Sequence, residues 1–129
     1  MQKMVRLGLA GLLAATILSV APAAFASHNK GVTRSGPCSA ASTWKLKLSN
    51  ENQGIQVEFE VDQNVNGDTW KVQMADNGTV FFKGRRTTAA PSGSFEVRKL
   101  TANQAGTDRV VAKAMNLTTG ETCTGKASI

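Results

Sequence analysis

The sequence is poor in the residues that most chemistry needs. Its 129 residues include one histidine, no tyrosine, two cysteines and three prolines, and aromatic side chains make up only 5%. The lone His28 stands near the start of the expected mature chain, a poor place for the rigidly held base of a Ser-His-Asp arrangement. Beside a free α-amine it is a candidate for adventitious Cu²⁺ or Ni²⁺ binding, but a zinc site would need further nitrogen or sulfur ligands. The scarcity of aromatics, with both Trp on apolar faces, argues against the stacking platform of a nucleic-acid binder. No CxxC is present, which argues against thiol exchange. A chain this short holds one small domain, and an enzyme of several domains is excluded.

The one long apolar run lies at the start. Lys3 and Arg6 precede the stretch LGLAGLLAATILSV, Pro22 breaks it, and Ala24-Phe25-Ala26 puts small residues before Ser27. That order reads as a secretory signal peptide over residues 1–26, cleaved after Ala26, because the run is shorter than the roughly 20 residues a bilayer span needs. The expected product is secreted, monomeric and free of the membrane after cleavage. Losing residues 1–26 removes two bases and no acid, so the net charge falls from +6 to +4. In an oxidising compartment Cys38 and Cys123 are expected to form one disulfide across nearly the whole domain.

Residues 27–37 read as a flexible arm with a short edge strand around Val32. Residues 38–129 read as the folded domain. There, alternation with period two dominates. Trp44, Leu46 and Leu48 share one face and Lys45 and Lys47 the other; Ile55, Val57, Phe59 and Val61 alternate with Gln56, Glu58 and Glu60. If these strands are neighbours, the outer lysines face the outer glutamates. Trp70, Val72 and Met74 form the next apolar set, and Asp76-Asn77-Gly78 marks a tight turn. A short strand over 79–83 is followed by a polar loop over 84–93. Strands then return around Phe95 and Val97, around Val110, Ala112 and Ala114, and over 121–127. The helical candidate at 101–105 is too short to matter. About seven short strands with Gly/Asn turns indicate an all-β antiparallel sandwich, with a small barrel as the alternative.

The stretches GSFEVRKL, AGTDRVVAKAMN and TTGETCTG, within residues 93–125, resemble the last three strands of an immunoglobulin-like domain found in small secreted actinobacterial proteins of unknown function. Asp108, Val110, Ala112, Ala114 and Asn116 match its alternating penultimate strand. The corner tyrosine and the central pair of cysteines of antibody-type domains are absent. The resemblance implies an immunoglobulin-like sandwich and carries no activity with it.

Three groups of residues are candidates for function. Asp62, Asn64, Asn66 and Asp68 match the first half of a calcium loop, but Gln73 stands where a bidentate Glu belongs, so a hairpin turn is the favoured reading and no cofactor is expected. Glu58 and Glu60 lie roughly 7 Å apart on one strand face, as paired catalytic carboxylates can, yet they have Lys45 and Lys47 as partners. Phe81, Phe82, Lys83, Arg85 and Arg86 form the preferred contact patch: adjacent strand residues point to opposite faces, so one phenylalanine is expected outside the core. The patch suits an extracellular protein or a cell-wall polymer. A non-enzymatic binding module is therefore expected, with a protease inhibitor or ligand carrier using the 83–93 loop as the alternative.

Overall fold

A computed structural model describes residues 31–129. The expected signal peptide over 1–26, His28 and the first part of the expected arm lie outside the described residues. Eight strands run antiparallel: β1 (Val32–Pro37), β2 (Thr43–Glu51), β3 (Gly54–Asp62), β4 (Thr69–Asp76), β5 (Thr79–Thr87), β6 (Ser94–Thr101), β7 (Arg109–Asn116) and β8 (Thr122–Ser128). They form two sheets, β1-β2-β3-β6 and β5-β4-β7-β8, with no helix among the described residues. The architecture is a sandwich, as the alternating pattern requires when each sheet has one buried face. Its strand order is immunoglobulin-like. β3 and β6 take the B and E places, β4, β7 and β8 take C, F and G, and β5 takes C′; the first sheet differs in having β2 and β1 beyond β3 and no strand in the D place beside β6.

Two expectations change. The edge strand near Val32 is six residues long and takes up more than half of the arm read over 27–37, because its backbone pairs with β2 from Val32↔Leu48 to Pro37↔Thr43. The loop read over 84–93 is strand as far as Thr87, because Gly84 to Thr87 find partners in β4, ending at Thr69↔Thr87. With the edge strand counted, the described strands number eight, where the alternation indicates about seven.

The core follows the apolar alternation. Leu46, Leu48, Ile55, Val57, Phe59 and Val61 from one sheet are fully buried against Trp70, Val72, Met74, Val110 and Ala112 from the other. Burying each such side chain contributes about 1.5–3 kcal/mol. Trp44 points inward but is only half-buried. It closes one side of the sandwich, lying against Gly36 and Gly125, where an added Cβ would come within 2.9 and 2.8 Å of its ring. Beside it the disulfide Cys38–Cys123 ties the β1–β2 turn to β8.

Four connections meet at one end of the sandwich, over 38–42, 63–68, 88–93 and 117–121. Hydrogen bonds lace them together. Ala40 and Ser42 donate their backbone N–H groups and Ser42 its hydroxyl to the buried Glu121 carboxylate. Gly67 N–H donates to Thr88 O, and Gln63 N–H to Gly93 O. Gly93 has φ +67, and a Cβ there would meet the backbone of Val65 at 2.3 Å, so this closure needs glycine.

Candidate functional site

Register and alternation decide which charges share a surface. On the first sheet Lys45 lies opposite Glu60 and Lys47 opposite Glu58, as the alternation predicts. Arg98 of β6 adds an ion pair to Glu58 at 2.8 Å and a longer one to Glu96 at 3.5 Å. This outer face is a mixed field of both signs, and Glu58 and Glu60 sit on it among basic partners.

The outer face of the second sheet is different. Its outward positions are Thr69, Lys71, Gln73 and Ala75 on β4, Val80, Lys83, Arg85 and Thr87 on β5, Arg109, Val111, Lys113 and Met115 on β7, and Thr122, Thr124, Lys126 and Ser128 on β8. Six of these are basic and none is acidic. All six basic residues are exposed, and none forms an ion pair among the described residues. Lys71 even stands directly opposite Arg85, a like-charge pair that costs stability in a sheet. Two shallow grooves cross the face. One, about 280 Å³, is lined by Lys71, Gln73, Lys83 and Arg85. The other, about 340 Å³, is lined by Lys71, Gln73, Lys113, Met115, Thr122 and Thr124. Lys71 and Gln73 line both, standing between them.

The expected patch at 81–86 is split by the fold. Lys83 and Arg85 face outward. Arg86 lies opposite the buried Trp70, and Phe82 opposite the buried Met74, so both turn toward the sandwich edge between β5 and β6. There the Phe82 ring holds the Arg86 guanidinium at 5.1 Å and the Lys99 ammonium at 5.3 Å. The expectation that one of Phe81 and Phe82 points away from the core is corrected. A β-bulge between Met74 and Ala75 on the partner strand leaves Phe81 unpaired, and both rings, half-buried, pack against the core. Lys113, Lys126 and Arg109 were not singled out by sequence reasoning. The signal for them was present in the alternation of β7 and β8, but it needs the sheet order before they can be placed beside Lys71.

The Asp62–Asp68 turn is wired inward. Asp62 Oδ1 accepts the Asn64 N–H at 3.1 Å. Asp68 Oδ2 accepts from the Asn116 and Gln63 amides, and Gln63 in turn accepts the Trp70 indole N–H at 3.0 Å. These bonds, that of Asn116 first and then that of Gln63, hold the Asp68 carboxyl below its ordinary range. No three His, Cys, Asp or Glu side chains converge among the described residues.

At the opposite end lies a pair that sequence reasoning passed over. Asp76, read only as part of a turn, is 1% exposed, and neither of its carboxylate oxygens has a hydrogen-bond partner. Burial, and after it the neighbouring Asp108, raise its pKa to about 6. Asp108 is equally buried, and its Oδ1 accepts the Gln104 N–H at 3.2 Å.

No helix among the described residues is long and apolar enough to cross a membrane. No family model matches the chain, and the searches of curated proteins and of solved structures return no match.

Proposed function

We propose that this protein is a non-enzymatic, secreted binding module that engages an anionic extracellular partner through the outer face of the second sheet. One observation carries the reading: every charged side chain on that face is basic and unpaired, while acids are interspersed on the face of the first sheet. A solvated sheet face normally mixes signs across strands, because opposite charges stabilise the register and like charges oppose it. Six unneutralised cations on four strands forgo that gain. A positive field of this kind attracts and orients a negative partner. The expected export signal and the disulfide support an extracellular setting. For an inhibitor or carrier using the 83–93 loop, the segment free of β5 is the turn 88–93, hydrogen-bonded to its neighbours at both ends.

The test compares charge changes on the two faces. The mature protein is sedimented with purified cell-wall material and with beads bearing an acidic polypeptide, at low salt. K71Q/K113Q should lose most of the bound fraction on at least one matrix, whereas K45Q/K47Q should retain it. If both variants behave like the parent on both matrices, the face is ordinary solvated surface and the reading is abandoned.

A further inference from the structure

The six cations are not scattered evenly over the second sheet. Reading across the register, Arg85 stands opposite Lys71, Lys71 opposite Met115, and Met115 opposite Thr122. One step down the strands, Lys83, Gln73, Lys113 and Thr124 lie side by side; one step further come Val80, Ala75, Val111 and Lys126. Neighbouring strands are roughly 4.8 Å apart, and residues on the same face recur roughly every 6.8 Å along a strand. Arg85, Lys71, Lys113 and Lys126 therefore fall on a diagonal that crosses all four strands. Successive lysines on it are roughly 8 Å apart, and its whole length is roughly 20 Å. The two grooves lie on either side of Lys71 along its upper part, and a third depression, lined by Arg109, Val111 and Lys126 among others, lies at its lower end. Lys83 and Arg109 both lie on one side of the line, and Met115, Thr122 and Thr124 on the other.

A line of point charges on a flat surface suits a line of opposite charges. A compact anion would be met by converging donors, and an acidic protein by a patch with apolar anchors at its centre. The exposed large apolar side chains on the face, Met115 and Val80, each 41% exposed, stand in different rows with β4 between their strands and form no common anchor, and no aromatic ring stands on the face for a base or sugar to stack on. Four of the six cations are lysines. Lysine meets an anion as a point charge on a flexible stem, without the fixed bidentate geometry that arginine offers carboxylate and phosphate alike, so the spacing of the charges is what the track can read. Resting on the proposed anion-binding role, we infer that the diagonal Arg85–Lys71–Lys113–Lys126 is a track for a linear phosphodiester polymer without bases, such as a polyol phosphate. In a three-carbon polyol phosphate, successive phosphorus atoms are six bonds apart, roughly 7 Å when extended. That spacing is within reach of lysines roughly 8 Å apart on flexible stems. Gln73 and Thr124 supply neutral donors beside the track.

The experiment measures binding of the mature protein to glycerol-phosphate oligomers of one, two, four, eight and sixteen repeats, at 50 and 200 mM salt. Affinity per chain should climb steeply to about four repeats, the length that covers the track, and rise slowly beyond it. It should fall roughly ten- to a hundredfold between the two salt concentrations, as expected when four or five phosphates displace counterions. K71Q, K113Q and K126Q should each cost roughly three- to tenfold and flatten the salt dependence, while K45Q/K47Q leaves both unchanged. Equal affinity for one and sixteen repeats overturns the track, as does equal binding of hyaluronan, whose charges are carboxylates. Binding to acidic polypeptide beads without binding to the oligomers overturns the track while leaving the anion-binding role standing. Failure to bind either removes both.

Discussion

Asp76 shows how a single side chain can set the pH at which the fold is strongest. It continues the inward face of β4 after Trp70, Val72 and Met74, so the alternation that builds the core carries a carboxyl into it. Its two oxygens find no donor, and Asp108 adds a second buried carboxyl beside it. Burial and the like-charged neighbour both penalise ionisation, which raises the folded-state pKa to about 6 from an ordinary 3.8. As pH rises from about 4, the unfolded chain releases this proton first while the folded chain still holds it. The folded state therefore binds more protons, and stability declines until the folded group ionises near pH 6. Asp68, whose pKa is lowered, acts in the opposite sense and at lower pH, losing its contribution as pH falls. Denaturant melts of the parent should show stability dropping between pH 4 and 6, and D76N should remove the drop and be the more stable protein at pH 7. A parent whose stability is flat or rising over that window contradicts the assignment.

At the scale of strands, what could be read in advance and what could not divide along one physical line. Alternation reveals which residues of a strand share a face, and it put Ile55, Val57, Phe59 and Val61 on the buried face and Lys45, Lys47, Glu58 and Glu60 on outer faces, where the pairing of β2 with β3 sets them opposite one another. It is blind to anything that breaks the period. The bulge beside Met74 adds one residue to β5, so the rule that put Phe81 and Phe82 on opposite faces failed at that position. Nor does the pattern within one strand say which strands are neighbours. Lys71, Lys113 and Lys126 look like ordinary surface lysines until β4, β7 and β8 are laid side by side. Close approach between elements is similarly hidden. The glycine in the middle of β8 reads as a weak point in a strand, whereas in the fold it is the floor on which the Trp44 ring rests. G125A would place a methyl group 2.8 Å from that ring, with Gly36 closing its other side. Overpacking of this kind costs about 1–3 kcal/mol. The variant should lower the denaturation midpoint accordingly and shift the tryptophan emission of the folded state. An unchanged midpoint would mean that the ring has room to move.

For the molecule as a whole, the disulfide is what compensates for small size and for a face that repels itself. A domain of about a hundred residues has net stability of only about 5–15 kcal/mol, the small remainder after apolar burial and chain entropy nearly cancel. Against that, the second sheet holds like charges in direct register, and Asp76 and Asp108 are buried together. The bond between Cys38 and Cys123 closes a separation of 85 residues, so it restricts almost the entire unfolded chain. On the chain-entropy account a loop of that length contributes about 4–5 kcal/mol. Its position adds to this. It joins the β1–β2 turn to β8, next to the buried Glu121 carboxylate that gathers Ala40 and Ser42, and so fastens the first sheet to the second on the side that Trp44 closes. The other side, between β5 and β6, carries no covalent tie, and there Phe82 packs with Arg86 and Lys99. Reduction should therefore loosen the side formed by β1, β2 and β8 first. In thermal melts with and without reductant the melting temperature should fall steeply on reduction, and amide exchange should rise earliest in β1 and at the start of β8. If reduction left the melting temperature unchanged, the polar lacing of the four connections would have to hold the two sheets together by itself, and the bridge would not be the clasp of the domain.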